Sequence, residues 1–171
     1  MGLVVESPRL YAQALSLDLF PHLRQADYFP PHLDAHLQHL RIDDTTYGWG
    51  PWIIFLRGTN EVIGDIGFKG QPDSWKFVEI GYGIVPAHRR RGYATEALKT
   101  MLRYSFEQHD IERVNAECRH DNDASIRVLE HVNMIREGEQ LQMIHWHMTR
   151  TQYFDQRRRS SQKPETAKKQ L

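Results

Sequence analysis

Residues 84–95 read Ile-Val-Pro-Ala-His-Arg-Arg-Arg-Gly-Tyr-Ala-Thr, and they hold the densest group of chemistry-bearing positions in the chain. An apolar strand pattern stops at Val85. Three arginines follow (Arg89, Arg90, Arg91), then Gly92, and a helical pattern opens at Tyr93, Ala94 and Thr95. A helix start leaves backbone N–H groups without intrahelical partners and carries partial positive charge. A glycine ahead of it lets the main chain come close to a ligand, and a small residue at Ala94 keeps the approach clear. This arrangement is expected to cradle an anion, a phosphate or pyrophosphate. No Gly-Lys-Ser/Thr follows and the three-glycine dinucleotide fingerprint is absent, so two common phosphate loops are excluded.

Other candidate groups are thinner. His32, His36 and His39 fall at helical spacing, which invites a metal. They lie beside a Leu33, Leu37, Leu40 stripe with no cysteine or carboxylate completing a ligand set, so no metal is expected. Cys118 is the single cysteine; it falls in an apolar strand and reads as core. It forbids an internal disulfide and suits a reducing compartment.

The elements that must position these residues follow from periodicity. Residues 3–14 form a short strand interrupted by Ser7-Pro8, and residues 16–24 and 31–43 are helical. Pro30-Pro31 begins the second helix, because proline is tolerated in a first turn. Residues 52–57, 61–69 and 75–85 are three strands joined by tight turns, an antiparallel meander. In the second of them Val62, Gly64, Ile66 and Phe68 share a face. The helix after the basic turn buries Ala94, Ala97, Leu98, Met101, Leu102 and Ser105, with Glu96, Lys99, Thr100 and Arg103 toward water. A strand at 112–119, a capped helix at 122–131 and strands at 134–137 and 143–150 complete a mixed α/β domain over residues 1–155. Residues 156–171 read as a basic, disordered tail.

Composition places the chain among ordinary globular proteins: 171 residues, 40% hydrophobic and 11% aromatic, enough for one core. The formal charge is zero but uneven. Residues 156–171 hold six basic residues against Glu165, hence +5, which leaves −5 for the body. An acidic body argues against a nucleic-acid partner and suits a cationic substrate. The N-terminus has no basic n-region, an early Pro8, and Glu6 where a myristoylation signal has Ser or Thr. No apolar run reaches membrane-spanning length. A cytoplasmic protein without a membrane partner is expected.

The spacing Arg89-x-x-Gly92-x-Ala94 resembles the Arg/Gln-x-x-Gly-x-Gly/Ala signature of the GNAT superfamily of N-acetyltransferases. The run VEIGYGIVPAHRRRGYATEAL resembles especially the branch containing the ribosomal-protein N-terminal acetyltransferases. Asn122-Asp-Ala-Ser125-Ile-Arg-Val-Leu129 is similar to the Asn-x-x-Ser-Ile-Arg-Val-Leu helix of that branch. Ser7-Pro8-Arg9-Leu10 and VIGDIGF are similar to its early strands. The likeness spans residues 3–150 in the right order.

The resemblance implies a mostly antiparallel twisted sheet, splayed where acyl-CoA enters and flanked by about four helices. It implies acetyl-CoA as co-substrate, with N–H groups from Arg89, Arg90, Arg91, Gly92, Tyr93, Ala94 and Thr95 on its pyrophosphate. Ile84 and Val85 would pair with the pantetheine arm, and Asn122 would bond the same arm or a water. Ser125 would lie near the sulfur as the acid, since Leu129 stands where many relatives carry a tyrosine. The Val85 N–H would steady the developing oxyanion. Apart from the resemblance, Glu79 is the only acidic residue of the central strand, close to where the acceptor amine should arrive, and is expected to be the base, with Asp65 and Asp27 as weaker alternatives. Trp49, Trp52, Trp75 and Tyr28 would line an acceptor cleft. The acceptor is expected to be a protein N-terminal amine, or else an aminoglycoside, polyamine or amino acid. A non-catalytic acyl-CoA sensor and an RNA-associated protein are the rival functions, and a homodimer is compatible with either.

Overall fold

Ser7-Pro8 divides the first extended run into β1 (Val4–Glu6) and β2 (Leu10–Ala14), which fold back on each other antiparallel. The computed structural model describes residues 2–162. Helices α1 (Phe20–Gln25) and α2 (Pro31–Ile42) each begin with proline in the first turn. The meander follows as β3 (Pro51–Leu56), β4 (Val62–Phe68) and β5 (Phe77–Ile84). Helix α3 (Tyr93–Arg103) runs into a wider turn at Tyr104–Gln108, then β6 (Arg113–Arg119) and α4 (Asp123–His131). The hairpin of β7 (Ile135–Gln140) and β8 (Met143–Thr149) precedes α5 (Arg150–Ser161).

Among the described residues the strands form one eight-stranded sheet in the order β1-β2-β3-β4-β5-β6-β8-β7. Only the β5–β6 pair in it is parallel. Alternation sends Trp52, Ile54, Ile66, Ile80, Val114 and Trp146 to one face, against Leu98 and Met101 of α3 and Leu129 of α4. The other face is apolar only at its β3 end. There Ile53 and Phe55 pack on Leu19, Leu23, Leu33 and Leu37 from the α1–α2 segment. Cys118 is buried, as its strand position requires, and burial pushes its thiol pKa up.

Three expectations change. Residue 156 does not start a disordered tail, because α5 runs on to Ser161. Thr149 and Gln152 form a capping box at its start, and Arg157 pairs with Glu107. Residues 163–171 lie outside the described residues. In β4, Gly64 pairs with Ile54 but Val62 with Phe55, so Ile63 is an extra residue in the ladder. That bulge sends Val62 to the α2 face and Ile63 into the main core. Thr100 is buried rather than solvent-facing, with its hydroxyl satisfied by Glu96 O at 2.9 Å.

Candidate functional site

The turn into α3 is built from both sides. Pro86–His88 form a short helical turn, tied down by His88 Nε2 to Glu61 Oε1 at 2.8 Å. Arg90 (φ +61°) and Gly92 (φ +78°) then both sit in the left-handed region, which only glycine enters freely. On the far side Glu96 binds the β1–β2 corner. It accepts from Ser7 Oγ at 2.7 Å, Arg9 N at 2.9 Å and Arg9 Nε at 2.6 Å. Burial pushes the Glu96 pKa up, but these donors and the Arg9 charge outweigh it and hold it below the usual carboxylate range. Arg9 also donates to Arg91 O at 2.9 Å and lies over the Tyr93 ring. The first helical N–H to find an acceptor is Glu96, on Gly92 O at 3.1 Å. Among the described residues, no protein acceptor pairs with the N–H groups of Arg90, Arg91, Gly92, Tyr93, Ala94 or Thr95. The three arginine side chains are exposed around them.

Next to this turn the sheet opens. Strand β5 pairs with β6 only from Phe77 to Ile80 against Arg113 to Ala116, although β5 continues to Ile84 and β6 to Arg119. Val85 N–H donates to Ile63 O at 2.9 Å, which corrects its assignment as an oxyanion or pantetheine donor. Ladder alternation then aims the N–H and C=O of Tyr82 and Ile84 away from β4, toward the gap. The Ile84 carbonyl accepts from Arg89 Nε at 2.8 Å, so its N–H is the group left facing the opening. Across the gap stands the start of α4. Asn122 Oδ1 caps it by accepting from Ser125 N at 3.1 Å, and Tyr82 OH donates to Ser125 O at 3.4 Å. Burial pushes the Tyr82 phenol up to about 12.

On the α2 face of the sheet lies a cavity of about 620 Å³. Its floor is glycine-rich backbone of β4 and β5 (Gly67, Gly81, Gly83), and its wall includes His32, His36 and Trp49. Gly50 exists to admit α2: a Cβ there would stand 2.1 Å from the His36 ring. Asp65 is the one carboxylate among the lining residues, 6% exposed, and it pairs with His32 Nε2. The Asp65 hydrogen bond is the largest influence on His32 and raises its pKa; burial opposes it, and the Asp65 charge adds to it. Burial lowers His36, with His39 assisting. The Tyr28 phenol is raised by burial first and then by Asp65.

Glu79 is not among the residues lining this cavity. It stands on the same sheet face and is ion-paired to Lys69, which also donates to Glu117 at 3.0 Å. Trp49 lines the cavity as expected, whereas Trp52 is core and Trp75 is exposed at the β4–β5 turn. The histidines of α2 do face the site, but no group of three or more potential metal ligands exists among the described residues. Sequence reading missed His32 as a partner of Asp65 and missed Tyr82. Alternation along β5 did point Tyr82 to the face where α4 packs, whereas nothing local linked residue 32 to residue 65.

Residues 10–135 match the acetyltransferase (GNAT) domain family. The uncharacterized N-acetyltransferase YjdG of Bacillus subtilis is 34% identical over 101 residues, 59% of this chain and 60% of that one. The chain thus spans well under two thirds of that relative. In fold it is similar to the spermidine N-acetyltransferase of Vibrio cholerae, with TM-score 0.73, 12% identity, and coverage of 88% of this chain and 99% of that one. It is likewise similar to a ribosomal L7/L12 alpha-N-protein acetyltransferase in complex with coenzyme A. That structure has TM-score 0.69, 19% identity, and coverage of 86% and 98%.

Proposed function

The chain belongs to the acetyltransferase (GNAT) domain family, and from that premise we propose that it transfers acetyl from acetyl-CoA directly to a primary amine. The observation that carries this reading is the parallel β5–β6 pair that ends at Ile80 beside a helix start with partnerless N–H groups. These residues fit coenzyme A. The N–H groups of residues 90–95 and the exposed Arg89, Arg90 and Arg91 offer a pyrophosphate site, and Gly92 leaves the backbone uncovered. The open edge at Tyr82 and Ile84 offers strand-like pairing to an extended amide chain. Acetyl-CoA supplies the acyl group already activated as a thioester. Among the described residues Asn122 Nδ2 has no protein partner and can bond the arm, and Ser125 holds a proton for the departing sulfur. No covalent acyl-enzyme is needed, so buried Cys118 has no chemical part.

We take the acceptor to be a protein N-terminal amine. A polyamine calls for several spaced carboxylates, whereas Asp65 is the one carboxylate lining the cavity among the described residues. Structural neighbours include both ribosomal-protein and spermidine acetyltransferases, so likeness of fold does not choose between them. Among the described residues no helix is long and apolar enough to cross a membrane; the cytoplasmic location is our inference from the single cysteine.

The test is thiol release from acetyl-CoA with N-terminal peptides, aminoglycosides, polyamines and amino acids. Peptides are expected to give the highest kcat/KM. Preference for polyamines overturns the acceptor, and tight acetyl-CoA binding without release to any amine makes the chain a sensor.

A further inference from the structure

Asp65 is a carboxylate sealed into the sheet, yet its partner His32 keeps more than half of its side chain exposed (56%). Alternation with Ile66 and Phe68, which face the main core, turns Asp65 to the α2 face, beside Ile53 of β3 and Gly83 of β5. A Cβ built on Gly83 would lie 3.7 Å from Asp65 Oδ1, so the carboxylate rests against the β5 backbone between Tyr82 and Ile84. These are the two residues whose N–H groups face the gap. His32 reaches over from the first turn of α2, and both groups line the cavity. With Nε2 engaged by Asp65, the neutral ring has its lone pair on Nδ1, which has no protein partner among the described residues.

We propose that His32, oriented by Asp65, is the catalytic proton acceptor for the substrate ammonium. The proposal rests on the transferase reading above. One N–H bond of the ammonium breaks, its electron pair stays on nitrogen, and the proton moves to His32 Nδ1. The imidazolium is then neutralised by the Asp65 carboxylate. The nitrogen pair forms the C–N bond to the acyl carbon of the thioester while the C–S bond breaks with its pair on sulfur. Ser125 gives its hydroxyl proton to that sulfur and is refilled by the second nitrogen proton, and His32 returns its proton to solvent. One ammonium and one thioester give one amide, one thiol and one proton.

The rival is Glu79, and the geometry disfavours it. Glu79 lies four residues before Gly83, about 13 Å along the strand. Its carboxylate is already ion-paired through Oε1 to Lys69. An imidazole also titrates about two units nearer neutrality than an ordinary carboxylate, where a general base works best. The charged and titratable groups around His32 are Asp65, Tyr28, His36, His39 and Lys69. Of these, Asp65 bonds the ring directly and favours its protonated form. Asp65 is accordingly a positioning residue.

The test uses the full chain with His32→Gln, Asp65→Asn and Glu79→Gln. First, ¹⁵N-histidine NMR titration of the substrate-free protein is expected to place the His32 pKa above that of a free histidine, and Asp65→Asn is expected to lower it. Second, His32→Gln is expected to reduce kcat by about 10²- to 10⁴-fold. Acetyl-CoA Kd and acceptor KM stay within a few-fold, and the acid limb of the kcat profile disappears. Asp65→Asn shifts that limb to lower pH, and Glu79→Gln costs less than tenfold. A His32→Gln enzyme with near-normal kcat overturns the proposal. So does a rise in acceptor KM alone, which would make the pair an ammonium anchor, or an acid limb removed by Glu79→Gln. If the variants fail to fold, the wild-type titration decides: His32 titrating at or below the free value sinks the idea. A wild type that acetylates no amine at all defeats the transferase reading instead, a result distinct from all of these.

Discussion

Gly92→Val tests whether the backbone turn or mere positive charge holds the cofactor. Gly92 sits at φ +78° and ψ +8°, and a non-glycine residue held there costs about 1–2 kcal/mol. Its new Cβ would meet Arg9 Nη2 at 3.4 Å, the far end of a flexible chain, so protein crowding adds little. If the bound loop must keep this conformation, the strain appears as a rise in coenzyme A Kd of about 5- to 30-fold. Valine bulk on the ligand side adds to that, and Gly92→Ala separates the two contributions. Arg90 provides the contrast. It is exposed and already left-handed at φ +61°, so Arg90→Gly removes a charge while relieving strain. Its Kd is expected to rise only about threefold, in line with an exposed charge being worth less than about 1 kcal/mol. Calorimetric titration with coenzyme A at low and high salt measures both. Equal losses for Gly92→Val and Arg90→Gly that vanish together at high salt would refute the backbone-cradle argument.

Glu96→Gln unties the β1–β2 corner from α3 and is expected to cost about 1–3 kcal/mol, read by urea denaturation. The folded-state pKa of Glu96 is depressed, so its contribution is present above the ordinary glutamate value. It is lost as pH falls through the folded value, and the variant should show a flatter acid limb of stability. Ser125→Ala keeps the Asn122 cap, because the cap uses the Ser125 N–H; kcat is expected to fall while coenzyme A affinity stays within a few-fold. Unchanged turnover would show that the thiolate leaves unaided. Truncation after Phe154 removes most of α5 with Arg157–Glu107 and the Gln156–Asn133 contact at 3.2 Å. A fall of several degrees in Tm is expected by scanning calorimetry, and an unchanged Tm would mean that α5 does not support the body.

What the sequence by itself determined is what a short window of chain encodes. The cradle is a strand end, a glycine and a helix start within a dozen consecutive residues, and each has its own steric or hydrogen-bonding signature. The meander, the Asn122 cap and the buried stripe of α3 are equally local, which is why they were legible without coordinates. The decisions left to tertiary structure all depend on register or on contact between layers. Ile63 enters the ladder as an extra residue, and that slip sends Val62 to the α2 face and Ile63 into the core. The Val85 N–H is taken by the Ile63 carbonyl because the β4–β5 register continues one pair past Gly64–Ile84. Glu79 meets Lys69 across a hairpin, and Arg157 meets Glu107 across 50 positions, which turns a charged tail segment into a docked helix. His32 and Asp65 stand 33 residues apart on different elements. Neither has a local pattern that marks the other, because a pair formed when a helix settles on a sheet is written in the packing of both and in the spacing of neither.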